Sequence, residues 1–61
     1  MTDPLLTPEE LSGWLKIPIR TIYGWRYRGG GPRAIVVGRH LRYRQREVEE
    51  WLDRQMIERS H

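Results

Sequence analysis

The sequence of 61 residues has no cysteine, and it has no acidic residue where its basic residues are densest. Without cysteine the chain has no disulfide, no thiolate metal site and no cysteine nucleophile. No apolar run approaches the roughly 20 residues that span a bilayer. The start of the chain carries Asp3 where a signal peptide is basic. We therefore expect one small domain that works in the cytoplasm and does not contact a membrane.

The missing acids define a window from residue 16 to residue 46. All eight Asp and Glu residues lie before or after it, so the formal net charge of +3 hides a segregation of charge. This separation is typical of a surface that meets a polyanion. A basic face that is merely solvated is the simpler alternative. The nine basic residues of the window are Lys16, Arg20, Arg26, Arg28, Arg33, Arg39, Arg42, Arg44 and Arg46.

The first half of the chain predicts two helices joined by a three-residue turn. Residues 7–10, Thr-Pro-Glu-Glu, form a capping box with proline at the first helical position, which predicts a helix over 8–16. Pro18 disfavours the helical conformation of the residue before it, so the second helix is expected over 18–28. The glycine run 29–31 and Pro32 end that helix.

The second half predicts a β-hairpin followed by a third helix over 45–58. If Gly38, Arg39 and His40 form the tip, alternation directs Arg42 and Arg44 away from the core. The predicted core comprises Leu6, Leu11, Trp14, Leu15, Ile17, Ile22, Trp25, Ile35, Val37, Leu41, Tyr43, Val48, Trp51 and Leu52.

The order helix, helix, hairpin, helix predicts a winged helix-turn-helix, a mainly α fold with a small β-hairpin. We expect this single domain over residues 6–55, between a flexible lead at 1–5 and a frayed tail at 56–61. In this fold the second helix enters the major groove of DNA and the hairpin, or wing, reaches an adjacent groove or phosphates. The acids of the third helix and those at the start of the first would face away from the DNA.

Four segments together resemble the excisionase family, whose members are small winged-helix relatives of the MerR-type regulators. The segments are residues 21–26 (TIYGWR), 29–32 (GGGP), 37–44 (VGRHLRYR) and 48–52 (VEEWL). The resemblance extends over residues 5–54. It implies a phage or mobile-element recombination directionality factor that binds direct repeats beside an attachment site and bends the DNA. Such a factor directs a partner integrase toward excision and breaks no bond itself.

The resemblance also implies which residues contact DNA. Gly24 stands where the family often has a basic residue, and Lys16 and Pro18 stand where it usually has Gly and a Ser-type cap. The loss of a side chain at Gly24 allows close approach of the backbone. Arg20 can either read a guanine or hold a phosphate. The candidate DNA-binding residues are Arg20, Thr21, Tyr23, Gly24, Arg26, Tyr27, Arg28, Arg39, His40, Arg42 and Arg44.

Several alternatives remain open at this point. A MerR-like transcriptional regulator needs the same DNA-binding fold, but only about ten residues follow Trp51, too few for a coiled coil of three heptads. We therefore expect copies of the protein to meet on adjacent DNA repeats. A protein that binds RNA or a membrane surface is a third possibility. An enzyme is not expected, because no nucleophile–base pair or carboxylate dyad is evident. No cofactor or metal is expected, since His40 has no second ligand at suitable spacing.

Overall fold

The computed structural model describes residues 4–56, which form three helices and a three-stranded antiparallel sheet. This arrangement confirms the predicted winged helix-turn-helix. Residues 57–61 of the tail expected at 56–61 lie outside the described part, as do the first three residues of the lead. The elements in chain order are β1 (Leu5–Leu6), α1 (Pro8–Leu15), α2 (Ile19–Arg28), β2 (Ala34–Val37), β3 (His40–Arg44) and α3 (Gln45–Gln55).

The start of α1 is held by the predicted capping box. The Glu10 amide donates to the Thr7 hydroxyl oxygen at 3.0 Å, and the Thr7 amide donates to the Glu10 carboxylate at 2.9 Å. Two amides that the helix leaves without partners are thereby satisfied. Pro8 occupies the first helical position and is buried. The first turn of α1 is therefore fixed locally, before any tertiary contact is considered.

The turn between α1 and α2 has the predicted length of three residues and depends on a left-handed residue. Lys16 has φ 60 and ψ 44, and its amide donates to the Ser12 carbonyl at 2.8 Å. The Ser12 hydroxyl in turn donates to the Ile17 carbonyl at 2.6 Å. Because a β-carbon makes this conformation unfavourable by about 1–2 kcal/mol, glycine is the residue best suited to the position. Lys16 therefore carries strain that the bonds from Ser12 hold in place.

The hairpin has a different register from the one predicted. Val37 pairs with His40 and Ile35 with Arg42, so the loop contains two residues, Gly38 and Arg39, instead of three. Gly38 has φ 63, as the first position of a type II′ turn requires. A shift of one residue moves every side chain of a strand to the opposite face. Ile35 and Val37 therefore share a face with Arg42, and the prediction that they face the core beside Leu41 and Tyr43 is wrong.

The centre of the core follows the prediction, but its edges do not. Trp14 and Val37 were expected inside and are instead 41% and 51% exposed. Val37 is exposed because of the register, and Trp14 because it lies about 60° around α1 from Leu11. Ile19 packs against the core although it was not predicted there. The buried residues are Leu11, Ile22, Leu41, Tyr43 and Val48. The partly buried residues around them are Leu6, Leu15, Ile17, Ile19, Trp25 and Leu52.

Strand β1 is an element that the sequence did not predict. Leu5 pairs with Arg44 and Leu6 with Tyr43, so β3 lies between β1 and β2 in the sheet. The Gln45 amide also donates to the Pro4 carbonyl at 3.2 Å. Leu5 therefore belongs to the sheet and not to a flexible lead. At the other end, α3 stops at Gln55, three residues before the predicted end.

The glycine run after α2 accommodates the indole of Trp25. Gly31 has φ 72, and a β-carbon built there would lie 2.8 Å from Cγ of Trp25 and closer still to its six-membered ring. The Trp25 ring also contacts Trp51, with 5.4 Å between centroids and 59° between planes. Such tilted aromatic pairs stabilise beyond the area they bury. Gly31 thus lets the loop close over the ring that connects α2 to α3.

We predict that Gly31→Ala lowers the free energy of unfolding by about 3 kcal/mol, because the methyl group adds a clash to the cost of a positive φ. Gly29→Ala is the matched control: its φ is 83 and no atom lies within 4 Å of the added carbon. Its φ of 83 and ψ of 173 are strained for alanine but involve no clash, so we expect this control to lose less, about 1–2 kcal/mol. Urea unfolding, monitored by circular dichroism, measures the free energy of unfolding of both variants. Equal losses would contradict the packing role of Gly31.

Candidate nucleic-acid interface

A cleft of about 560 Å³ lies between α2 and the wing, with the start of α1 at one side. It contains three arginines and one histidine, and Glu9 is the acid among its lining residues. Such a concentration of cations around a groove attracts a polyanion. The lining residues are Thr7, Pro8, Glu9, Tyr23, Arg26, Tyr27, Val36, Gly38, Arg39, His40, Leu41 and Arg42.

Helix α2 contributes Tyr23, Arg26 and Tyr27 to the cleft. Residues three and four apart share a helix face, so Ile22 can face the core while Tyr23 and Tyr27 face outward. Tyr27 is 86% exposed and Tyr23 is 42% exposed. Tyr27 therefore presents its ring and hydroxyl at the surface, whereas the Tyr23 hydroxyl donates to Glu9 at 3.4 Å. The predicted outward face of the second helix is therefore present.

The wing contributes Arg39, His40 and Arg42 to the same cleft. Arg39 occupies the second position of the two-residue turn and His40 begins β3, so both are exposed at the tip. Arg42 is half-buried, and its Nη1 donates to the Leu41 carbonyl at 2.8 Å. This bond holds the guanidinium beside the strand. Six of the eleven predicted contact residues thus line one concave surface.

The other five predicted residues lie outside the cleft. Arg20 is exposed in the first turn of α2, and Thr21 beside it is half-buried. Arg44 is exposed at the end of β3, where the strand meets α3. A DNA duplex is wider than the cleft, so residues at the rim can still contact phosphates. Whether these residues contact DNA stays a prediction.

Gly24 is covered by a neighbouring side chain. The Arg28 guanidinium folds back over it, and a β-carbon at Gly24 would collide with that group. Gly24 is therefore buried although it lies on the outward side of α2. The expected close approach of DNA to this backbone requires Arg28 to move first. Contact between DNA and the Gly24 backbone would thus depend on the position of the Arg28 side chain.

Glu9 is the cleft residue that sequence reasoning placed incorrectly. The acids at the start of α1 were expected to face away from DNA, but Glu9 lines the cleft and its Oε2 accepts from the Tyr23 hydroxyl at 3.4 Å. Helix α2 packs against α1, and the bond between Glu9 and Tyr23 shows that the first turn of α1 lies beside the middle of α2. Only the crossing of the two helices fixes this proximity. A charge count along the chain contains no such signal.

Tyr43 is the titratable group whose environment differs most clearly from water. It is 1% exposed, and burial raises its pKa above the ordinary tyrosine value, while the nearby Arg26 charge acts in the opposite direction. Tyr23 adds a smaller effect that raises the pKa. Within residues 4–56 no protein group forms a hydrogen bond with the Tyr43 hydroxyl. The core beneath the sheet thus contains a tyrosine whose burial favours the neutral form.

No metal site or membrane helix is found in the described residues. Among residues 4–56, no group of three His, Cys, Asp or Glu side chains is arranged to hold a metal ion, so His40 has no partners for coordination there. No helix in that part of the chain is long and apolar enough to cross a membrane. The side chains that line the cleft are the groups that it presents to a ligand.

Comparison with known proteins adds the family. A family model described as a helix-turn-helix domain matches residues 5–56, nearly the whole chain. The chain belongs to the helix-turn-helix domain family. No curated protein gives a match. The family includes excisionase-like DNA-binding proteins, and its domain supports sequence-specific binding of double-stranded DNA. In that fold the second helix enters the major groove, and in this helix-turn-helix protein the second helix is α2, one wall of the basic cleft.

We predict that the domain loses stability as pH rises above 10.0, the ordinary pKa of tyrosine. Because the pKa of Tyr43 is raised in the folded state, unfolding releases a proton in this range, and the stability present below it disappears. The urea midpoint should therefore fall as the solution becomes more alkaline. Tyr43→Phe keeps the ring but cannot ionise, so its midpoint should fall less. Identical curves for the two proteins would contradict this origin of the pH dependence.

Proposed function

We propose that this protein is an excisionase, an accessory factor that binds double-stranded DNA at direct repeats beside an attachment site. It acts in the cytoplasm and catalyses no reaction itself. Several copies occupy adjacent repeats and bend the duplex, and the bent complex lets a partner integrase excise the mobile element. The observation that carries the proposal is the basic cleft formed jointly by α2 and the wing.

The cleft supports duplex DNA in preference to other polyanions because its two walls differ. One wall is a helix with exposed Tyr27, whose width suits the roughly 12 Å major groove. The other is a hairpin with Arg39 and His40 at its tip, which can reach a neighbouring phosphate row. An RNA helix has a major groove too narrow for such insertion. A membrane surface would favour an apolar helix face, which α2 directs to the core.

The edge of the sheet supports contact between copies. The strand order is β1-β3-β2, so among residues 4–56 one side of β2 has no neighbouring strand. Val36 and Val37 on that strand are exposed. Exposed apolar side chains on an edge strand are typical of surfaces that meet a partner. Adjacent copies on tandem repeats could meet here. An excisionase requires such contact between copies, whereas a regulator that binds a single operator does not.

We expect affinity for duplex DNA to fall steeply with salt, because each phosphate contact releases counterions. Arg39→Ala should weaken binding and reduce the slope of log K against log salt by about one. Arg54→Ala, which removes the same charge from the last turn of α3, should leave the slope unchanged. Fluorescence anisotropy over a salt series measures the DNA affinity of the unaltered protein and of both variants. A slope near zero for the unaltered protein would rule out DNA as the polyanion.

We expect a DNA fragment with two tandem repeats to bind two copies cooperatively, because neighbouring proteins contact each other. In a mobility-shift titration the doubly bound complex should therefore dominate over the singly bound one. Insertion of about five base pairs, half a helical turn, should abolish the cooperativity by rotating one site to the opposite face. Independent filling at both spacings would favour the alternative of a MerR-like regulator that binds one operator.

A further inference from the structure

The surroundings of Glu9 are unusual for an acid in a basic cleft. Arg26, Arg39 and Arg42 line the same cleft, yet within residues 4–56 Glu9 forms no ion pair with any of them. Its carboxylate is exposed and its partner is the Tyr23 hydroxyl. An acid in this position repels phosphates, which weakens non-specific binding. Such a residue is better suited to reading a base than to holding the backbone.

The bond between Glu9 and Tyr23 determines what the pair offers to a ligand. A tyrosine hydroxyl has one proton, and here it points to Oε2 of Glu9 at 3.4 Å. The hydroxyl oxygen and the carboxylate then present only lone pairs. Tyr23 was a candidate DNA contact, and in this arrangement its hydroxyl proton is directed to Glu9. The pair is a site that accepts hydrogen bonds and offers none.

Glu9 is also held on a rigid element. It lies in the first turn of α1, between Pro8 and Glu10, where the capping box fixes the backbone. Tyr23 lies in the middle of α2, so the two groups come from two packed helices instead of a loop. Groups on regular elements keep their geometry better than groups on loops. The acceptor pair is therefore positioned before any ligand arrives.

Only some bases can satisfy such a pair in the major groove. Guanine presents two acceptors and thymine presents an acceptor and a methyl group, so neither offers the required donor. Adenine offers an amino group beside the N7 acceptor, which a carboxylate repels. Cytosine offers its N4 amino group with no acceptor on the same base edge, and Glu and Asp are the side chains that accept from it.

We propose that Glu9 and Tyr23 read the N4 amino group of one cytosine in the target DNA. The inference rests on the proposed function, because it requires that α2 lie in the major groove. It adds a residue of α1 to the specificity-determining set. It also assigns Tyr23 to a base and not to a phosphate.

Selection of binding sites from randomised DNA duplexes tests the proposal on the full chain. The unaltered protein should select cytosine at one position, and Glu9→Gln should lose that preference and gain adenine there, because an amide suits the amino group and N7 of adenine. Glu50→Gln is the matched control, since it removes the same charge from the exposed side of α3. It should leave the preference unchanged. Thermal melting confirms that both variants are folded.

A second measurement changes the DNA and compares the unaltered protein with Glu9→Gln. Replacing the selected cytosine with 2-pyrimidinone, which lacks the amino group, should weaken binding of the unaltered protein about tenfold. For Glu9→Gln the same replacement at that position should have an effect of less than about twofold. Two results would overturn the inference: cytosine preference that survives Glu9→Gln, or insensitivity of the unaltered protein to loss of the amino group. If steep salt dependence remains, only this inference fails; without DNA binding, the proposed function itself fails.

Discussion

The two-residue turn at the tip of the wing is the constraint on which the rest of the structure depends. By pairing Val37 with His40, it sets which side chains of β3 face inward. Leu41 and Tyr43 then close the core against Ile22, and Arg42 remains beside the cleft. A loop longer by one residue would exchange the two faces of one strand relative to the other. The position of the basic side chains is thus inseparable from the packing of the core.

Much of the fold could be predicted because its signals are local. The capping box at Thr7, the proline at position 18 and the glycine run at 29–31 fix the helix ends from neighbouring residues alone. The hairpin register could not be predicted in the same way, since a loop of two and a loop of three both suit Gly38 followed by Arg39. Strand β1, with two residues, has no periodicity to detect. It forms because β3 offers a free edge, which is a tertiary condition.

The residue types of the candidate site were predicted more fully than the positions of these residues relative to one another. Charge segregation identified the wing and the second helix, and six of the predicted contact residues in these elements meet in one cleft. The charge pattern failed at Glu9, because distance along the chain does not describe how two helices cross. This acid changes the charge of the surface, because it places a carboxylate among three arginines that would otherwise attract any phosphate backbone.

The folding of Arg28 over Gly24 has a consequence for how α2 can meet a partner. The cover is the far end of a flexible side chain, whereas the helix backbone beneath it is regular. Side-chain rotamers exchange within nanoseconds, many orders of magnitude faster than rearrangements of packed helices. Extension of the Arg28 side chain would therefore uncover Gly24 and add a notch to the surface of α2 without changing any core contact of the domain.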